Sequence, residues 1–167
     1  MEKVAHEIRT FGDPVLKSRA SRVKDFDDSL KQLAEDMIKT MHVAEGAGLA
    51  ANQIGRLKRI FVAAYEDEEY VMVNPEIEER SETTEKDMEG CLSIPGIGVE
   101  VERPVAVTLT GQDPSGAPLR VEAEGRLARI FQHEVDHLDG VLMLDRTDRE
   151  SRKNAMREIR ERMLDRR

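Results

Sequence analysis

The chain has 167 residues, 39% hydrophobic and 36% charged, enough apolar material for one domain with its own core. Its net charge of −8 argues against a general nucleic-acid binder, DNA included, because such surfaces are usually basic. One cysteine excludes a disulfide framework, no apolar run is long enough to cross a bilayer, and the opening Met1-Glu2-Lys3-Val4 carries no secretory signal, so a cytoplasmic protein without membrane association is expected.

In chain order, Asp27-Asp28-Ser29 precede Leu30, Leu33, Ala34, Met37 and Met41, whose spacing predicts a capped amphipathic helix. The Gly-rich run Gly46-Ala47-Gly48-Leu49-Ala50-Ala51-Asn52-Gln53 follows, and on its own it reads as an ordinary turn. Arg59 to Tyr65 and Tyr70 to Asn74 are two β-rich runs, with the acidic stretch Glu66 to Glu69 as a solvated hairpin tip between them. Glu89-Gly90-Cys91-Leu92-Ser93-Ile94-Pro95 is a tight Gly-flanked segment ending in proline, suited to a ligand loop. Val99 to Val101 and Val105 to Thr110 predict two more strands, and Asp113-Pro114-Ser115-Gly116 a turn into a strand near Leu119 to Ala123.

From Gly125 to Gly140 the apolar residues Leu127, Ile130, Phe131, Val135 and Leu138 recur at helical spacing, and Gly140 is placed to end that helix as a left-handed cap. Thr147 or Asp148 then opens a last helix, about 148–165, in which Met156, Ile159 and Met163 form a thin apolar stripe. Arg152, Lys153, Arg157, Arg160 and Arg162 are left for its wet face. Residues 151–167 hold seven Lys/Arg against three Asp/Glu, so the first 150 residues carry −12 of the chain's −8. With no βαβ alternation, repeat or linker, the expected fold is α+β: residues 1–167 as a single unit of mainly antiparallel strands around a central helix, closed by a C-terminal helix.

The central helix carries the chemistry. His133-Glu134-Val135-Asp136-His137 sets two histidines one turn apart, about 40° around the helix surface, so both imidazoles reach one cation while Glu134 flanks them. The plainer alternative is that the histidines border the core of an ordinary buried helix. An open metal site needs a third protein ligand. Nothing after His137 is His or Cys; His6, His42 and Cys91 lie upstream, and Glu158 and Glu161 are the late glutamates a zinc-protease arrangement would use. Cys91 is favoured by its Gly-flanked segment, although a lone cysteine also serves as a small buried hydrophobe.

Three stretches in order, Gly46 to Gln53, Glu89 to Ser93 and Gln132 to His137, closely resemble the motifs of the peptide deformylase family, and weaker similarity runs from Gly12-Asp13-Pro14-Val15-Leu16 to the third motif. The resemblance implies a metal-dependent hydrolase that removes the formyl group from N-formylmethionyl peptides and releases formate. It implies Cys91, His133 and His137 as metal ligands, with water in the fourth position and Glu134 as general base. It implies Gln53 and the Leu92 amide as donors to the oxyanion. It implies Gly46, Ala47, Gly48 and Gly90 as the strand-like lining that pairs with an extended peptide. Ferrous iron, Fe(II), is the working metal it implies, with Zn(II) or Ni(II) accepted by the same ligands.

Arg126 and Arg129 lie on the His133 side of the helix beside Ile130, which is expected to wall the pocket for the substrate's first side chain. The two guanidinium heads then have to reach solvent or an acidic partner. Glu89 with Arg103 is a further pairing that would steady the cysteine segment. The last helix reads either as a solvated packing helix or, as the resemblance implies, as a contact with the ribosome near the tunnel exit. A zinc endopeptidase, a catalytically silent deformylase-like binder of formyl-peptides or ribosomes, and a metal-storage domain are the competing readings.

Overall fold

The computed structural model describes residues 5–165; residues 1–4, the first part of the opening stretch expected to carry no secretory signal, lie outside the described residues. Helix α1 (Asp28–Val43) starts where the Asp27 carboxylate accepts from the Leu30 amide at 3.1 Å, an N-cap that satisfies one of the helix's free donors. Leu30, Leu33, Ala34, Met37 and Met41 are buried along one face, as their spacing predicts, and pack on Leu49, Ile54, Ile60, Val62 and Val73.

Among the described residues the strands are β1 (Gly48–Ala50), β2 (Ile60–Tyr65), β3 (Glu68–Arg80), β4 (Thr84–Cys91), β5 (Ile94–Pro104), β6 (Ala106–Gln112) and β7 (Pro118–Glu124). They form an antiparallel sheet in the order β1-β2-β3-β6-β7 and a separate β4-β5 hairpin. Helix α2 (Gly125–Leu138) packs between them: Phe131 and Leu138 join Phe61, Ala63, Met72 and Leu109 of the large sheet, while Arg129 and Asp136 reach the hairpin. Phe131 meets Tyr70 edge-on at 5.3 Å between ring centroids. Helix α3 (Arg149–Asp165) lays Ala155 and Ile159 on Ile94, Ile97, Val99 and Val101 of β5. The α+β class and the placement of all three helices agree with the sequence expectation. Gly140, at φ 74°, takes the left-handed position expected just past the central helix.

Five local readings are corrected. Strand β4 was not expected: in Thr84-Glu85-Lys86-Asp87-Met88 every side chain is exposed, so no apolar alternation marks it. The cysteine segment is therefore a hairpin rather than a loop: Cys91 ends β4 opposite Ile94, across the two-residue turn Leu92-Ser93. The Gly-rich run is likewise more than a turn, because Gly48, Leu49 and Ala50 pair with Ala63, Val62 and Phe61 before a 3-10 turn at Ala51–Ile54. Strand β3 runs past its expected end at Asn74, which takes φ 52° and breaks the register there. The Asn74 side chain compensates, accepting from the Val23 amide at 2.8 Å and donating to the Val23 carbonyl at 2.9 Å. Met163, assigned to the apolar stripe of α3, is 60% exposed and outside the hydrophobic cluster with β5; at this end of the helix the contact to β5 is polar, from Arg162 to the Gly96 carbonyl at 3.2 Å.

Candidate active site

Residues 128–138 of α2 are all buried, polar ones included, so every donor and acceptor on this helix needs a partner inside the protein. His133 and His137, one turn apart, bring their Nε2 atoms to 3.1 Å, and the Cys91 thiol sulfur lies 3.3 Å from His137 Nε2. The three donor atoms all fall within 4.8 Å of one another. The fit to a cation is chemical as well as geometric. The Glu89 carboxylate accepts from His133 Nδ1 at 2.9 Å, which turns the Nε2 lone pair toward the cluster. Lone pairs facing each other at such distances are reconciled only by a shared proton or a cation. Burial pushes His137 well below the ordinary histidine range. His133 is held well above it against the same burial, by its contacts with Cys91 and Glu89. His137 Nδ1 is buried with no hydrogen-bond partner among the described residues.

Glu134 is 4% exposed and its Oε1 has no hydrogen-bond partner among the described residues. Burial is the main cause that pushes its carboxyl up to about 7, His133 and Arg103 pulling against it. The other oxygen lies against the backbone of β1: a Cβ on Gly48 would stand 2.5 Å from Oε2 and 2.8 Å from the carboxyl carbon. Glycine at 48 is thus what lets the carboxylate reach the site.

Gln53 is held by both ends. Its Oε1 accepts from the Ala50 amide at 2.9 Å, which fixes the orientation of the side-chain amide. Its Nε2 then faces the cysteine, 3.1 Å from Ser93 Oγ and 3.6 Å from Cys91 Sγ. These groups front a cavity of about 560 Å³ whose lining includes Gly46, Ala47, Gly48, Gln53, Gly90, Cys91, Leu92, Ile130, His133 and Glu134. His137, 1% exposed, sits behind it. No atom lies within 4 Å of a Cβ placed on Gly90 among the described residues, so that wall of the cavity is open.

The expected Glu89–Arg103 pair is present, with Arg103 Nε and Nη2 donating to the carboxylate at 2.5 and 2.9 Å. Burial would raise the Glu89 carboxyl, but the bonds from Arg103 and His133 hold it well below the usual carboxylate range. Arg129 was expected to reach solvent or an acidic partner; it donates to Glu89 at 2.7 Å and to the Val101 carbonyl at 2.8 Å. Arg126 keeps its head at the surface, 3.7 Å from Asp87. The two arginines are not equivalent. Arg129, four residues before His133, is a support that the helix spacing pointed to and whose partner only the folded hairpin supplies. The remaining ligand candidates lie elsewhere: His6 contacts Asp36, His42 contacts Glu69, and Glu158 pairs with Arg162 on the outside of α3.

A family model described as polypeptide deformylase matches residues 5–153. Peptide deformylase 1 of Corynebacterium glutamicum is 51% identical over 158 residues, covering 92% of this chain and 94% of its own length. Peptide deformylase of Dictyoglomus thermophilum is 50% identical over 147 residues, covering 88% and 95%. The crystal structure of peptide deformylase from Thermotoga maritima superposes with a TM-score of 0.86 at 46% identity, over 87% of this chain and 99% of that one. The matched span contains β1, the β4-β5 hairpin and α2, so the similarity includes every element that shapes the cavity, and the chain belongs to the polypeptide deformylase family.

Proposed function

We propose that this chain removes the formyl group from the N-terminal formylmethionine of newly made polypeptides, and that residues 1–167 act as one catalytic unit with the helix near 148–165 as its C-terminal part. The observation that carries the reading is the convergence of Cys91, His133 and His137 beside a buried carboxylate at the floor of an open cavity. Cys91 Sγ and the two Nε2 atoms would hold a divalent cation, whose Lewis acidity acidifies water and polarises the formyl carbonyl. Fe(II) is our proposal for the metal in the cell, with Zn(II) or Ni(II) taken up by the same donors.

Glu134 takes the proton that water loses on attacking the formyl carbon and passes it to the amine nitrogen as the C–N bond breaks, leaving formate and a free N-terminus. Its Oε1, which has no hydrogen-bond partner among the described residues, is the acceptor for that proton. The negative charge that develops on the formyl oxygen meets the Gln53 Nε2–H₂, whose orientation the Ala50 amide fixes before the substrate arrives, and the Leu92 N–H. An extended peptide fits along Gly46, Ala47 and Gly48, with Gly90 leaving room opposite, and Ile130 supplies apolar wall for the methionine side chain. The substrate is a nascent chain, which places the enzyme in the cytoplasm and makes the basic outer face of α3 a contact for the ribosome.

The test is formate release from a formyl-Met tripeptide by anaerobically purified, iron-loaded protein, with Glu134→Ala beside it. Release that is lost in the variant while the metal stays bound supports both the reaction and the base. No release from the loaded wild type would favour a silent binder of formyl-peptides. A Cys91→Ser variant that keeps full metal affinity would favour the endopeptidase reading.

A further inference from the structure

We propose that Arg146, acting through Asp136, is a positioning residue for the metal centre, holding the outer end of an ion chain whose inner end fixes His133. The proposal rests on the reading of Cys91, His133 and His137 as metal ligands. Glu89 grips His133 Nδ1 at 2.9 Å and is itself gripped by Arg103 at 2.5 and 2.9 Å. Arg103 then spans to α2, donating from Nη1 to Asp136 Oδ2 at 2.9 Å. His133 and Asp136 are three residues apart on one helix, so the four side chains close a ring from α2 through β4 and β5 and back.

Arg146 completes that ring from outside. Its Nη2 donates to Asp136 Oδ1 at 3.0 Å and its Nε to Oδ2 at 3.2 Å, a two-point grip that sets the plane of the carboxylate. The Asp136 side chain is 12% exposed with Arg146 in place, so the half-exposed guanidinium is its outer donor. Arg146 itself is half exposed, yet its backbone is pinned on both sides. Its N–H donates to Met143 at 3.0 Å, and next to it the Thr147 hydroxyl donates to the Glu100 carbonyl at 2.5 Å. The side chain is therefore delivered to Asp136 by a fixed segment. With Arg146 removed, the Asp136 carboxylate keeps only its bond from Arg103, so that arm of the ring is less fixed and the hold of Glu89 on His133 loosens, while Arg129, which also donates to Glu89, keeps the loss partial.

Loss of a group that orients a metal ligand directly costs about 10–100-fold in affinity, so a residue further out is expected to cost about 3–10-fold. The measurement is the rate at which cobalt-loaded protein gives up its metal to excess chelator, followed by loss of the thiolate-to-cobalt absorption. Arg146→Met should release cobalt about 3–10-fold faster with KM for a formyl-Met peptide unchanged, since Arg146 is not among the cavity-lining residues. Arg146→Lys, with one donor point instead of a fork, should fall between Arg146→Met and the wild type. Arg152→Met is the matched control: Arg152 is also half exposed at the start of α3 but pairs with Asp145 at 3.2 Å, outside the chain to His133, and its loss should leave release unchanged. Release from Arg146→Met within twofold of the wild type, or equal acceleration in Arg152→Met, would overturn the proposal alone. Failure of the wild type to take up cobalt would overturn the metal-site reading and this proposal with it.

Discussion

At the scale of single residues, the site depends on two side chains being confined rather than merely present. Gly48→Ala puts a methyl group where Glu134 Oε2 now lies, so the carboxylate has to leave its present position on the cavity wall. Because general-base catalysis contributes about 10²–10⁴-fold, a displaced Glu134 should lower kcat by about 10²-fold. Metal content and melting temperature should stay near those of the wild type, a combination read by kinetics beside metal analysis. Gln53→Leu keeps the volume but removes both the acceptor for the Ala50 amide and the donor that faces Cys91. Loss of one oxyanion donor costs about 10²–10³-fold, so kcat should fall by that order with KM little changed. Both residues stand in motifs legible in the sequence. Their confinement was not legible, because it comes from β1 pairing with β2 and bringing Gly48 against a helix some 80 positions later in the chain.

At the scale of elements, legibility followed burial. Helices α1 and α2 each present an apolar face, and their spacing announced them. Strand β4 presents nothing apolar inward: its buried residue is Glu89, whose partners Arg103, Arg129 and His133 come from β5 and α2. A charged residue that faces inward looks from sequence like one more residue of a polar stretch, and only the assembled partners reveal its direction. The same ion cluster gives β4 a pH-dependent anchor. The folded-state pKa of Glu89 is depressed, so its contribution is full above the ordinary carboxylate value of 4.5 and is lost as pH falls below it. Glu89→Gln, which removes the carboxylate charge shared by two buried guanidinium groups and leaves Arg103 with Asp136 and Arg129 with backbone carbonyls, should cost about 3 kcal/mol near neutral pH. The gap between variant and wild type should narrow as unfolding is followed from pH 5 downward; a gap independent of pH would show that packing, not charge, sets the cost.

For the whole molecule, the C-terminal helix packs on β5 with one face and leaves a basic face outward, which decides how the proposed ribosome contact has to be tested. Ala155 and Ile159 cover Val99 and Val101 of β5, and Thr147 and Arg146, just before the helix, tie the same region to β5 and α2. Truncation before Ser151 would strip this cover from the hairpin that carries Cys91, so weaker ribosome binding by the truncated chain would not distinguish a lost contact from a damaged fold. Reversing exposed charges avoids that. Lys153, Arg157 and Arg160 are solvent-facing and outside the hydrophobic cluster with β5. Changing all three to Glu should leave formate release from a free tripeptide and the melting temperature close to wild type. The surface term is electrostatic, so cosedimentation with ribosomes should drop by about tenfold or more and lose its dependence on salt. Unchanged cosedimentation would remove the outer face of α3 from the proposed ribosome contact and leave the helix with its packing role on β5.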